Sequence, residues 1–130
     1  MVFIKVICIY ILNNSSLKLT EKLLATPPNK IKVPSIVKAE LLYGAAKSKR
    51  KKENRAIVDK FLSAMEIVPF EEVSAEYYAE IRAKLETSGK IIGPNDLLIA
   101  SIVLANNGTL VTNNLKEFSR VPKLKVVNWK

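Results

Sequence analysis

The stretch GPNDLLIASIVLANNGTLVTNN, Gly93 to Asn114, gives the clearest indication of the fold. Pro94 is typical of the first turn of a helix, and Gly108 is typical of the position just after a helix ends. The segment LLIASIVLA between them is almost wholly apolar, which predicts a central helix whose first turn points toward a cleft. The following TLVTNN predicts a short buried strand.

The rest of the chain alternates strand-like and helix-like segments in the same way. The predicted strands are KIKV (30–33), EIVPF (66–70) and LKVVNW (124–129), and VFIKVICIYIL (from residue 2) begins as a strand but is long enough to hold a strand followed by a helical turn. The predicted helices are SLKLTEKLLA (16–25), PSIVKAELLYGAAKS (34–48), Asn54 to Met65 and VSAEYYAEIRAKLETSG (73–89). Strands separated by one or two helices predict an α/β class protein, an α/β/α sandwich around a central, mainly parallel sheet. No linker divides the sequence, so we expect a single domain over residues 1–130.

The composition excludes several kinds of chemistry. The chain has no histidine and a single cysteine, Cys8, which rules out an internal disulfide framework and a multi-cysteine zinc site. Catalysis must therefore use carboxylates, hydroxyls, amides, lysine or arginine. The apolar run at the start is shorter than the roughly 20 residues needed to span a bilayer. We accordingly expect a cytoplasmic protein that does not associate with membranes.

The chain is strongly basic, with a net charge of +9. Six of the nine residues in KSKRKKENR, Lys47 to Arg55, are basic. Such a run is compatible with phosphate contacts to a nucleic acid and equally with a solvated segment beside a helix. Both interpretations stay open from the pattern alone.

Two carboxylates stand in contexts that suggest a site. Glu40 lies in KAELLYGA among apolar neighbours, so its carboxylate is expected to be partly withdrawn from water and to need an ion partner, a proton or a metal. The alternative is an ordinary solvent-facing glutamate. Asp96 lies in the first turn of the apolar helix, where it either complements the helix dipole or faces the cleft.

A third cluster follows the TLV strand. Thr112, Asn113 and Asn114 come at the edge where parallel sheets bind ligands, although asparagines after a strand are also common turn formers. Glu117 is either a further oxygen ligand or a surface acid.

Four separated segments together resemble one known family. They are SIVKAELLYGAAKS, FLSAMEIVPF, EYYAEIRAKLETSGKIIGPNDLLIA and TLVTNNLKEFSRVPKLKVVNW. In this order they resemble the PIN-domain ribonucleases of the VapC type. The resemblance implies a compact α/β/α domain whose acids hold Mg²⁺ or Mn²⁺ and hydrolyse RNA. It also implies the toxin of a type II toxin–antitoxin system, commonly a homodimer and silenced by a small antitoxin protein.

The resemblance also suggests roles for individual residues. Glu40 matches the second acid of the family and Asp96 the third, while Asn114 stands where many members have aspartate. It therefore implies catalytic roles for Glu40, Asp96 and Asn114, and metal ligation by Glu40 and Asp96 with Glu117 as a further ligand. Oxygen ligands of this kind suit Mg²⁺ and Mn²⁺.

The sequence departs from the family near its amino terminus. Family members usually have Asp-Thr-Asn after the first apolar strand, whereas this chain has only Lys5 and Val6 there, and its first acidic residue is Glu21. The first catalytic carboxylate is therefore missing, which predicts an impaired or absent nuclease activity. The alternative is an inactive PIN-fold protein that binds antitoxin or RNA without cleaving it.

Overall fold

The structure, a computed structural model, describes residues 2–4 and 25–128. Lys5, Val6 and Cys8 lie outside the described residues. The same holds for the continuation of the first predicted strand and, apart from its last residue, for the helix predicted over residues 16–25.

The described residues form a sheet of five parallel strands in the order β3-β2-β1-β4-β5. The strands are β1 (Val2–Ile4), β2 (Ile31–Pro34), β3 (Glu66–Val68), β4 (Thr109–Val111) and β5 (Lys125–Val127). In the centre of the sheet, Val2 of β1 pairs with Ile31 on one side, and Ile4 pairs with Val111 on the other. The prediction of a central parallel sheet is confirmed.

Five helices connect these strands in the part of the chain that the structure describes. They are α1 (Ser35–Lys47), α2 (Lys51–Leu62), α3 (Glu72–Thr87), α4 (Pro94–Ala105) and the single turn α5 (Leu115–Phe118), with a 3-10 turn at Pro28–Lys30 before β2. None of the described helices is long and apolar enough to cross a membrane.

The helix boundaries differ from the sequence prediction mainly in α2. This helix begins at Lys51 and ends at Leu62, whereas the apolar spacing predicted Asn54 to Met65. Lysine and arginine are good helix formers, so the basic run extends the helix toward its amino terminus. By contrast, α3 ends as expected, because Gly89 takes the left-handed conformation (φ 69°) that terminates helices. The short α5 was not predicted.

Helix α4 is the centre of the core, as its apolar sequence predicted. Its buried residues lie on all sides of the helix and are Leu97, Ile99, Ala100, Ser101, Ile102 and Val103. The helix packs mainly on α3 and also contacts α1, β2 and β4. The one polar member, Ser101, satisfies its hydroxyl by donating a hydrogen bond to the carbonyl oxygen of Leu97 (2.7 Å).

The strand order reverses at β1, which makes one edge of the sheet a candidate binding site. Strand β1 is central; β2 and then β3 lie on one side of it, and β4 and then β5 lie on the other. Parallel sheets bind ligands where the direction of the strand order reverses, beyond the carboxyl ends of the strands. Helix α1 starts directly after β2 at this edge, and α4, which leads back to the start of β4, begins there too. Ile4 and Val111 mark the ends of the two central strands.

Candidate functional site

All four predicted site residues lie near this edge and are half-buried. Glu40 is in the second turn of α1, Asp96 is in the first turn of α4, Asn114 follows β4, and Glu117 is in α5. Of these four residues, Asp96, Asn114 and Glu117 come together around Gly93, and Glu40 lies in the helix that begins directly after β2. The half-burial of Glu40 agrees with its expected partial withdrawal from water.

Glu117 connects two of the loops that form the site. Its Oε1 accepts a hydrogen bond from the backbone N–H of Gly93 (2.7 Å), and its Oε2 accepts one from Nδ2 of Asn114 (2.8 Å). Hydrogen bonds to a charged acceptor are stronger than those between neutral groups. Glu117 therefore holds the loop before α4 against the loop after β4, and its two oxygens are already engaged. It is therefore not an isolated surface acid, and its role as a metal ligand stays a prediction.

Gly93 brings two carboxylates close together. A Cβ atom at this position would lie 3.6 Å from Oε1 of Glu117 and 3.8 Å from Oδ2 of Asp96, so both side chains border the same small space. Gly93 also caps α4, and Asp96 lies in the first turn of that helix, where a negative charge is favoured by the helix dipole. Asp96 can therefore complement the helix dipole and also belong to the candidate site.

The turn after β4 is fixed by the buried Thr112. Its backbone N–H donates to the carbonyl oxygen of Val127 (3.0 Å), which continues the pairing of β4 with β5. Its Oγ1 accepts a hydrogen bond from the backbone N–H of Asn114 (3.0 Å). Asn114 is therefore a turn residue whose side chain is also directed to Glu117.

The donor atoms of the site suit a hard divalent cation. Carboxylates and a side-chain amide are the oxygen ligands that Mg²⁺ and Mn²⁺ prefer. Within residues 2–4 and 25–128, however, no three acidic, cysteine or histidine side chains are grouped closely enough to hold a metal ion. Mg²⁺ commonly binds through only one or two carboxylates and keeps several waters, which Asp96 and a neighbouring acid can supply. Metal ligation by Glu40, Asp96 and Glu117 stays a prediction.

The basic run Lys47 to Arg55 joins the end of α1 to the start of α2. Arg55 is paired with Asp59 (3.0 Å), and Arg50 lies 3.5 Å from Glu53; all four side chains are exposed. Exposed pairs of this kind contribute little to stability. Lys47 instead lies over the ring of Tyr43, 5.8 Å from the ring centroid.

Sequence analysis did not single out Gly93 or Tyr43. No local pattern pairs Gly93 with Glu117, which is 24 positions away. An aromatic residue in a helix is ordinarily assigned to the core, so only the observed exposure distinguishes Tyr43.

Comparison with known sequences identifies one family. Residues 6–124 match the family described as PIN domain. The chain is 49% identical over 124 residues to Ribonuclease VapC2 of Rickettsia felis, covering 95% of this chain and 92% of that protein. It is 33% identical over 122 residues to the tRNA(fMet)-specific endonuclease VapC of Salmonella typhimurium, covering 94% and 92%.

A solved structure agrees with this result. The fold superimposes with a TM-score of 0.92 on a chain in the crystal structure of VapBC2 from Rickettsia felis bound to a DNA fragment from their promoter. The two chains are 46% identical, and the match covers 100% of both.

Proposed function

This chain belongs to the PIN-domain family, in its VapC branch, and on that basis we propose that it is the ribonuclease toxin of a type II toxin–antitoxin system with a weakened active site. The similarity to Ribonuclease VapC2 of Rickettsia felis along almost the whole chain is the observation that carries this proposal. The topology agrees with it, because α1, which carries Glu40, begins directly after β2, and Asp96 lies in the first turn of α4.

The metal dependence is part of the proposal. Glu40 and Asp96 are the residues that would hold Mg²⁺ or Mn²⁺, and a bound ion of this kind supplies an acidified water and neutralises charge on the phosphate. Glu117 and Asn114 position the two loops that border Asp96. Glu117 is proposed as a further ligand, and its two hydrogen bonds also keep the loops in place.

The impairment follows from the sequence at the end of β1. Lys5 and Val6 come directly after Ile4, the last residue of a central strand, where the family has its first aspartate. A carboxylate about 4 Å from a unit charge contributes roughly 4 kcal/mol at an effective dielectric near 20. Because about 1.36 kcal/mol corresponds to a factor of ten, losing it costs several decades in metal affinity or rate.

The proposed partners follow from the relatives. The Rickettsia felis neighbour is a complex named VapBC2, and we propose that this chain likewise binds a small antitoxin protein. An RNA substrate, a homodimeric state and a cytoplasmic location complete the proposal, and the net charge of +9 suits RNA.

A second candidate function rests on the same missing carboxylate. An inactive PIN-fold protein would bind antitoxin or RNA without cleaving it, and the loss of the first acid at Lys5 and Val6 favours this alternative. Metal binding distinguishes the two, because the binding-only protein is expected to bind no Mn²⁺ at millimolar concentration.

The test is an RNA cleavage assay in Mn²⁺ with three proteins. They are the chain itself, Asp96→Asn, and a version in which Asp-Thr-Asn replaces Lys5 and Val6. Initiator tRNA is one substrate, since the Salmonella relative is named for tRNA(fMet). We expect weak or no cleavage by the chain, strong cleavage by the repaired version, and little gain from Lys5→Asp alone because the segment is also one residue short.

Two outcomes would contradict this proposal. Full activity of the unmodified chain, abolished by Asp96→Asn, would show that the remaining acids suffice and that the site is not weakened. A repaired version that neither binds Mn²⁺ nor cleaves RNA would favour the binding-only protein.

A further inference from the structure

One face of α1 leads from the cleft to the basic run. Glu40, Tyr43, Gly44 and Lys47 are spaced at i, i+3, i+4 and i+7, so they lie on one side of the helix. Tyr43 and Lys47 lie about 4.5 Å and about 10.5 Å from Glu40 along the helix axis. This outer face of α1 therefore begins at a predicted metal ligand and ends where the basic residues start.

Tyr43 and Ile91 are the two most exposed large hydrophobic side chains among the described residues. Tyr43 has an exposed fraction of 65%, although burying an aromatic ring is favourable. Its contact with the Lys47 ammonium (5.8 Å from the ring centroid) gives it a cation on one side. An exposed ring beside a cation is the arrangement on which nucleic acid bases stack while a phosphate is contacted nearby.

Gly44 leaves an open place on this face of α1. Among the described residues, and apart from its own helix backbone and chain neighbours, no atom lies within 4 Å of the place where its Cβ would be. Glycine inside a helix lowers stability relative to alanine. A glycine at this position lets a ligand approach the helix backbone closely.

We infer that the outer face of α1 is a binding surface for single-stranded RNA next to the scissile phosphate. A base stacks on Tyr43, the sugar–phosphate backbone passes Gly44, and Lys47 contacts a phosphate. The basic residues that follow, up to Arg55, extend the surface and complement the charge of RNA. The inference rests on the proposed function, because it assigns RNA as the ligand of the same cleft.

The test measures binding and cleavage separately. The dissociation constant of a labelled 12-nucleotide single-stranded RNA is measured by fluorescence anisotropy at several salt concentrations, with the full-length chain. The variants are Tyr43→Ala, Tyr43→Phe, Gly44→Ala and Lys47→Gln. Matched controls on α3 are Tyr77→Ala and Lys84→Gln, and thermal melting shows that each variant is folded.

Each variant has a distinct expected result. Tyr43→Ala weakens binding roughly tenfold without changing its salt dependence, because it removes a stacked base, and Tyr43→Phe restores it. Lys47→Gln lowers the slope of log affinity against log salt by about 0.7, the value for one phosphate contact to a single strand. Gly44→Ala raises the melting temperature but weakens RNA binding. If Gly44 served only the fold, the substitution would lower both the melting temperature and the RNA affinity. The controls on α3 leave binding unchanged.

The outcomes separate this inference from the proposed function. RNA binding that is unchanged in Tyr43→Ala and Gly44→Ala would overturn the inference alone and leave a protein partner as the ligand of this face. No RNA binding by the unmodified chain or by the repaired version would overturn both. Weaker binding by the α1 variants, in a chain that does not cleave RNA, would support the inference while contradicting only the catalytic part of the proposal.

Discussion

The two ends of α4 are both next to a glycine, but the surroundings of these glycines differ completely. At the carboxyl end, the place where a Cβ of Gly108 would stand is filled by the ring of Phe3 from β1. At the amino end, a Cβ of Gly93 would be in ordinary contact with the carboxylates of Glu117 and Asp96. One glycine is required by the core, and the other borders the cleft.

This difference shows how the molecule separates stability from function. The carboxyl end joins α4 to the central strand β1 through close apolar packing, where little change of volume is tolerated. The amino end is held by single hydrogen bonds to Glu117, each worth much less than the core packing. The amino end is therefore expected to tolerate substitution with a smaller loss of stability than the carboxyl end.

The largest effect is expected for Gly108→Ala. The added methyl group collides with the Phe3 ring, and overpacking of this kind lowers the free energy of unfolding by about 3 kcal/mol. Urea denaturation measures the change. A loss below about 0.5 kcal/mol, within the range of neutral surface substitutions, would mean that the carboxyl end is no more tightly packed than the amino end.

Glu117→Ala tests the amino end with an intermediate effect. It removes the acceptor of the Gly93 N–H and of Asn114 Nδ2, and we expect the free energy of unfolding to fall by about 1–2 kcal/mol. Glu117→Gln keeps an acceptor for Gly93 and should lose less. The same urea titration compares the two variants, and equal losses would show that the bridge adds nothing beyond side-chain packing.

Gly44 gives a reference for the two glycines beside α4, because no described atom outside its own helix lies near its Cβ position. Gly44→Ala should raise the free energy of unfolding by about 0.5–1 kcal/mol, since alanine is the better helix former and no described atom lies near. Differential scanning calorimetry against the unmodified chain measures the shift. Destabilisation would indicate that Gly44 is required by the fold after all.

The smallest effect is expected for Gly93→Ala. Its backbone (φ −59°, ψ 151°) suits alanine before a proline, and the added methyl group has room. We expect a loss of about 0.5 kcal/mol, because alanine caps a helix less well than glycine does. A loss as large as that of Gly108→Ala, measured side by side in urea, would contradict the proposed difference between the two ends.

Much of the fold was predictable because its signals are local. The apolar body of α4, with Pro94 before it and Gly108 after it, indicated a buried helix, and the structure confirms it. The beginning of α2 was predicted incorrectly. The first turn, from Lys51, is made of basic and polar residues, so the spacing of apolar residues could not indicate it. The single turn α5 was missed because four residues give no periodicity.

The candidate site was predictable only in outline. The resemblance to the PIN family pointed to Glu40, Asp96, Asn114 and Glu117, and the parallel topology places them near one edge of the sheet. Their contacts were not predictable. The sequence left Glu117 as a ligand or a surface acid; the structure shows that it bridges two loops, and whether it also binds a metal stays a prediction.

The sequence by itself determined the order of strands and helices, the burial of α4, the basic character of the chain and the absence of an acid at Lys5 and Val6. These properties depend on composition and on periodicity along neighbouring residues. Only the tertiary structure decided that Gly93 meets Glu117, that Phe3 fills the space at Gly108, and that Tyr43 stays exposed. Contacts of this kind join segments far apart in the chain, so the packing of the whole domain determines them.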